Sequence, residues 1–203
     1  MNKEERIRNA IRPFVPEGVE QQLAAQIVKH RCQLTITRER KTKAGDYRHP
    51  WGNHGHRISV NGTLNPYAFL ITFVHEMAHL VTWEKHRNKV NPHGPEWKRA
   101  FQVEMNPFLN ESVFPKDILQ VLSKHMKKPK SATVRDVDLV KVLRTYDQAS
   151  DTLMLSEIPE GADFEFNRRV FNKGEKLRTR FRCTENRTGK VYLISGIAEV
   201  NLS

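Results

Sequence analysis

The chain has 203 residues, enough for one large domain or a domain with a small appendage and a real core. Its formal charge is +11 with a pI near 9.8, a balance that favours polyanionic partners such as nucleic acid. Two cysteines, Cys32 and Cys183, stand far apart in no C-x-x-C pair, which excludes a disulfide framework and a cysteine zinc ribbon and suits a reducing compartment.

Residues 1–8 carry charges of both signs and lead into no apolar segment, so no secretory signal is expected. The longest apolar stretch, Ala68 to Val74, is broken by Thr72 and is too short to cross a bilayer. A soluble, cytoplasmic protein without a membrane partner is the expectation.

Val19, Leu23, Ile27 and Val28 fall at helical spacing within residues 17–30, and Leu34 and Ile36 then alternate with polar residues as in a strand. Arg38 to Gly55 reads as a basic loop. Arg57 to Asn61 alternates again and ends in the turn pair Asn61-Gly62; as an edge strand it could pair with an extended substrate. Asn65-Pro66 is a helix start, since Asn can cap free amides and Pro suits the first helical position. The following segment runs to His86 without Gly or a further Pro, and its apolar density predicts burial on most sides. Residues 91–95 break the chain, a helix with Trp97, Phe101 and Val103 begins near Pro95, and another covers 116–126.

Residues 127–133 have linker composition, with Lys127, Lys128 and Lys130 as solvated charges, and place a domain edge near 130. After a short amphipathic stretch (137–143), the pattern switches to period two. Strands are predicted over 153–155, 163–166, 176–183 and 190–194, with Thr188-Gly189 turning the last pair. The fold class is therefore α+β: residues 1–130 form helices with a small sheet, and 131–203 form a small β-rich C-terminal region.

The chemistry centres on His75-Glu76-Met77-Ala78-His79 inside the long helix. Four residues return the chain to nearly the same helix face, so both imidazoles can reach one metal ion. Glu76 sits beside them, able to take a proton from water whose pKa the metal lowers while it polarises a scissile carbonyl. Burying these polar groups in an apolar helix is costly unless a metal or other partners satisfy them.

A catalytic zinc takes three protein ligands and leaves one position open. His86 lies about 10 Å along the helix from His79, too far to join. His93, in a loop bounded by Pro92 and Pro95, can fold back over the metal and is the expected third ligand; Glu96 is its rival, with a helix N-terminal charge as its plainer role. Thr82 and Lys85 occupy the positions where metzincins need Gly and His, which excludes that class.

HEMAH followed by His93-Gly94-Pro95-Glu96-Trp97 resembles the SprT and Spartan metalloproteases, whose signature is HExxH and then HGxx with an aromatic residue. The resemblance covers about residues 15–105. It implies a zincin-like core, one Zn2+ ion on His75, His79 and His93, Glu76 as base, and protein substrates that are DNA-associated or crosslinked to DNA. The four-cysteine ribbon common in that family is missing from the sequence, so a second zinc is not expected.

Residues 168–190 carry nine basic residues against two acidic ones, whereas 151–167 carry five acidic and none basic. Alternation puts Arg178, Arg180 and Arg182 on one strand face, a candidate grip for phosphates, with Phe164, Phe166, Phe171 or Tyr192 as stacking partners for bases. An ordinary solvated face over a small β core is the plainer alternative. His49, His54 and His56 are candidates to line the cleft. The competing function is a nucleic-acid-binding protein with a structural, non-catalytic zinc; Glu76 argues against it, because a structural site needs no free carboxylate and is normally closed by a fourth ligand.

Overall fold

A computed structural model describes residues 1–38, 40, 43–132, 136–148 and 152–202. Positions 39, 41 and 42 of the expected loop, Thr133 of the expected linker and Asp151 of the acidic run lie outside the described residues. The chain divides into two compact units, residues 1–147 and 148–203, and is mixed α+β.

In the first unit, helices α1 (Lys3–Ile11) and α2 (Glu20–Lys29) precede strands β1 (Gln33–Thr37), β2 (Gly45–Arg48) and β3 (Arg57–Asn61). Four helices follow: α3 (Pro66–His86), α4 (Pro95–Met105), α5 (Lys116–Lys127) and α6 (Val137–Arg144). The sheet order is β1-β3-β2, with β1 parallel and β2 antiparallel to β3.

Two expectations change here. The region read as a basic loop contains β2, and β3 is the central strand rather than an edge. Both sides of β3 are already paired, so a substrate strand cannot add to it; among the described strands, β1 and β2 are the edges.

Helix α3 is the axis of this unit. The Asn65 side chain accepts a hydrogen bond from the Ala68 amide at 3.0 Å, Pro66 fills the first helical position, and twelve side chains from Phe69 to Thr82 are buried. Apolar residues on nearly every face produce that burial, because the sheet, α4 and the turn carrying Phe14 all pack on the same rod. The helix stops at Arg87, whose φ of 54° lies in the left-handed region.

The unit's boundary falls after Asp147, not near residue 130. Leu139 and Leu143 of α6 are buried in the first core, and the Asn65 side chain donates to the Leu143 carbonyl at 2.9 Å. Lys130 pairs with Asp136 at 3.5 Å and His125 meets the same carboxylate at 2.7 Å, which ties the polar segment to the helix beyond it.

The second unit is a six-stranded sheet of order β4-β9-β5-β6-β7-β8, built from Leu153–Met154, Asp163–Phe166, Arg169–Lys176, Arg180–Glu185, Val191–Ser195 and Glu199–Leu202 as β4 to β9. β6 and β9 had no sequence signal, and the strand expected over 176–183 is interrupted after Lys176. Phe164, Phe171, Phe181, Cys183 and Ile194 form its core. Two charges are buried with partners: Lys173 donates to the Ile158 carbonyl and lies 4.1 Å from the centre of the Phe181 ring, while Glu185 pairs with Arg169 at 2.6 Å.

Candidate metal centre

His75 and His79 project from the same face of α3, one turn apart. His93 reaches them from the break before α4, where its φ of 61° turns the chain back and Gly94 donates to the Asn91 carbonyl at 3.0 Å. The Nε2 atoms of His79 and His93 are 3.0 Å apart and those of His93 and His75 are 3.3 Å apart. One ligand nitrogen from each of the three lies within 4.8 Å of the other two, and among the described residues this is the group of three able to hold a metal ion.

The donor set fits zinc. Two nitrogens bound to one tetrahedral zinc at 2.0–2.1 Å stand about 3.4 Å apart, close to the separations here. Burial pushes the pKa of His75 down to about 3 and that of His79 down to about 4, each helped by its imidazole neighbours. The His75 and His79 rings are therefore neutral at physiological pH and able to offer a lone pair to a cation. Trp97 forms the floor of the site, its ring centroid 4.6, 5.3 and 4.7 Å from those of His75, His79 and His93. Its packing limits the rotation of all three imidazoles.

Glu76 is 8% exposed and outside this ligand group. Burial, then the nearby Asp46 charge, pushes its pKa up to about 8, opposed by the Tyr47 amide and by Arg40 and Lys43. A carboxyl poised near neutrality can both take up and release a proton. Strand β2 presses on it: a Cβ at Gly45 would lie 2.7 Å from Glu76 Oε1.

The other expected site residues are more dispersed. Glu96 sits in the first turn of α4, outside the three-histidine group. His49 stacks on Trp83 with planes 2° apart, His54 bridges Trp51, and His56 meets Tyr47 and Glu84; His49 and His56 thus pack near the end of α3, and none of the three joins the metal group.

In the second unit, Arg180 and Arg182 project from the exposed face of β7, Arg182 pairing with Glu175 at 3.1 Å, while Arg178 lies in the turn before that strand. Phe164 and Phe171 are buried and stacked on each other, so they cannot take a base as expected. Phe166 and Tyr192 are partly exposed and line one groove with Arg180.

Gly45 and Tyr47, which shape the surroundings of Glu76, were missed. Their segment carries no alternation, and its Gly-Asp pair signals a turn.

Among the described residues, no helix is long and apolar enough to cross a membrane. No curated protein and no solved structure matches the chain. Residues 17–113 match the sequence model of the SprT-like family, a span that holds the long helix, all three histidines, Glu76 and the whole first sheet. Residues 17–113 are thus similar to the SprT-like family, a likeness that points to a metalloprotease-like function in general.

Proposed function

We propose that this protein is a cytoplasmic zinc peptidase with a zincin-like core, in which His75, His79 and His93 hold one zinc ion and Glu76 is the general base. The observation that carries the reading is the convergence of three imidazole nitrogens beside a buried carboxyl that is not one of them. When bound, the ion supplies Lewis acidity toward a scissile carbonyl. The Glu76 carboxylate takes the proton of the attacking water and delivers it to the leaving amine. The Tyr47 amide orients that carboxylate, and Trp97 seals the floor beneath the imidazoles. An extended polypeptide suits the outer edge of β2, which has no partner strand among the described residues.

The substrates we assign are DNA-associated or DNA-crosslinked proteins. Two features support this: the charge segregation of residues 168–190, and a groove lined by Arg169, Arg180, Phe166 and Tyr192, which joins cations and aromatic rings suited to phosphate and base.

Glu76→Gln tests the mechanism. It should retain zinc and lose cleavage of a labelled casein, whereas His75→Ala or His79→Ala should lose both. Full activity in Glu76→Gln would assign the chemistry elsewhere.

A further inference from the structure

Strand β2 positions what surrounds Glu76. In its antiparallel pair with β3, Gly45 faces Val60 and Tyr47 faces Ile58, and Asn61 donates its amide to the Ala44 carbonyl at 2.8 Å. Hydrogen-bonded and non-bonded pairs alternate along such a ladder, so the amides of Gly45 and Tyr47 point away from β3. The outward Tyr47 amide is the one that favours the charged form of the Glu76 carboxyl. The period of two also puts the side-chain positions of Gly45 and Tyr47 on one face, toward α3. Gly45 lies over Thr72 and Glu76, and the Tyr47 ring lies along His79, with centroids 6.5 Å apart and planes at 2°.

A strand of four residues at a sheet edge frays easily unless something beyond its ladder holds it. Here the Tyr47 hydroxyl is 2.9 Å from His56 Nδ1, and the two rings stack with centroids 5.9 Å apart. His56 Nε2 faces Glu84 Oε1 at 3.6 Å, an electrostatic contact, and the other Glu84 oxygen is 2.9 Å from His30 Nδ1. A carboxylate can only accept, so Glu84 favours the proton on Nε2 of His56 and leaves Nδ1 to accept from the Tyr47 hydroxyl. Burial lowers the pKa of His56, which favours the neutral ring. The end of α2, the last turns of α3 and the segment before β3 thus converge on one phenol of β2. None of His30, Glu84, His56 and Tyr47 belongs to the metal group.

We propose that Tyr47 is a positioning residue of the metal centre: the series Glu84, His56, Tyr47 clamps β2 onto α3, and so holds the Tyr47 amide on the Glu76 carboxylate and the phenol ring along His79. The consequence for catalysis rests on the peptidase reading; the clamp does not. Loosening the clamp leaves the three histidines in place and frees the carboxylate to turn, which affects turnover rather than metal or substrate binding.

The full-length protein carrying Tyr47→Phe keeps the ring and its stacking and loses only the hydroxyl; His56→Ala removes the other half of the link. Two readouts are needed: hydrogen exchange at single amides by NMR, and steady-state cleavage of labelled casein by the zinc-loaded protein. The Tyr47 amide should exchange about tenfold faster in either variant, the size expected for one lost hydrogen bond, with the Gly62 amide on the β1 side of the sheet unchanged. The kcat should fall about tenfold at constant KM and zinc content. The double variant should be no worse than His56→Ala, because both changes cut one link. Unchanged exchange at Tyr47 in Tyr47→Phe overturns the clamp. Faster exchange with wild-type kcat overturns its role in positioning. If the wild type shows no Glu76-dependent cleavage, the peptidase reading falls while the exchange data still decide the clamp.

Discussion

Replacing Gly45 with alanine adds one methyl group at the tightest contact around Glu76. The residue lies in a strand, so alanine meets no backbone penalty there and the effect is steric. The new Cβ would stand 2.7 Å from Glu76 Oε1, 2.7 Å from Thr72 Cγ2 and 2.9 Å from Glu76 Cγ, and restoring an ordinary contact of 3.4 Å requires a shift of about 0.7 Å. Thr72 belongs to a buried helix and cannot retreat far, so the carboxylate and the strand must separate. Overpacking of this kind costs about 1–3 kcal/mol, a fall in Tm of about 2–10 °C for a unit of this size. A displacement approaching 1 Å at a reacting group costs up to about 100-fold in rate, so kcat on labelled casein should fall about 10- to 100-fold. Zinc content, measured by plasma emission, should not change, because none of the three histidines is among the atoms the methyl group meets. Wild-type kcat and Tm would refute the packing of β2 on Glu76. Loss of zinc together with activity would refute the claim that the added methyl group disturbs the carboxylate and leaves the three histidines in place.

Three other outcomes follow from the same geometry. Asn65→Ala removes the cap of α3 and the bonds its amide donates to the Leu143 carbonyl and to Asp147 Oδ1, at 2.9 and 2.6 Å; urea unfolding should show about 2–3 kcal/mol of destabilisation with kcat unchanged. In metal-free protein, the depressed pKa values of His75 and His79 contribute stability that is full above 6.5 and is lost as pH falls through about 4 and about 3, whereas the raised pKa of Glu76 contributes stability that is full below 4.5 and is lost as pH rises through about 8. Two groups outweigh one on the acid side, so unfolding free energy should peak near pH 6.5; Glu76→Gln should abolish the decline above that pH, and a decline that persists would reject the assignment. Replacing Arg178, Arg180 and Arg182 together should weaken binding of a single-stranded oligonucleotide and reduce its salt slope by about 2, the value for three lost phosphate contacts; an unchanged slope would remove that face from DNA contact.

Much of the metal centre was legible because its information is local. The spacing of His75, Glu76 and His79 becomes geometry through the pitch of one helix, and Asn65-Pro66 and the Pro-Gly break at 92–95 mark where that helix starts and the next begins. In the second unit, period two read correctly along β7, where Phe181 and Cys183 turn inward and Arg180 and Arg182 outward. It failed along β6, where Lys173 occupies an inward position that only the Ile158 carbonyl and the Phe181 ring make tolerable. A lysine at a core position carries no strand signal, because its partners lie elsewhere in the chain.

Strand β2 shows the same limit where it matters most. Gly45-Asp46-Tyr47-Arg48 has weak intrinsic preference for a strand, and it extends because β3 supplies a ladder and α3 a surface. The glycine that weakens the local signal is also what lets the strand approach Glu76, since any larger side chain would meet the carboxylate. Close approach of backbone to a functional group thus selects against the residues that announce a strand. The helix motif determines which atoms can meet a metal, and the facing strand determines how the carboxylate beside them is held. A sequence pattern that reports the first will tend to hide the second, so unassigned glycine-containing segments near a metal motif are where such strands should be sought.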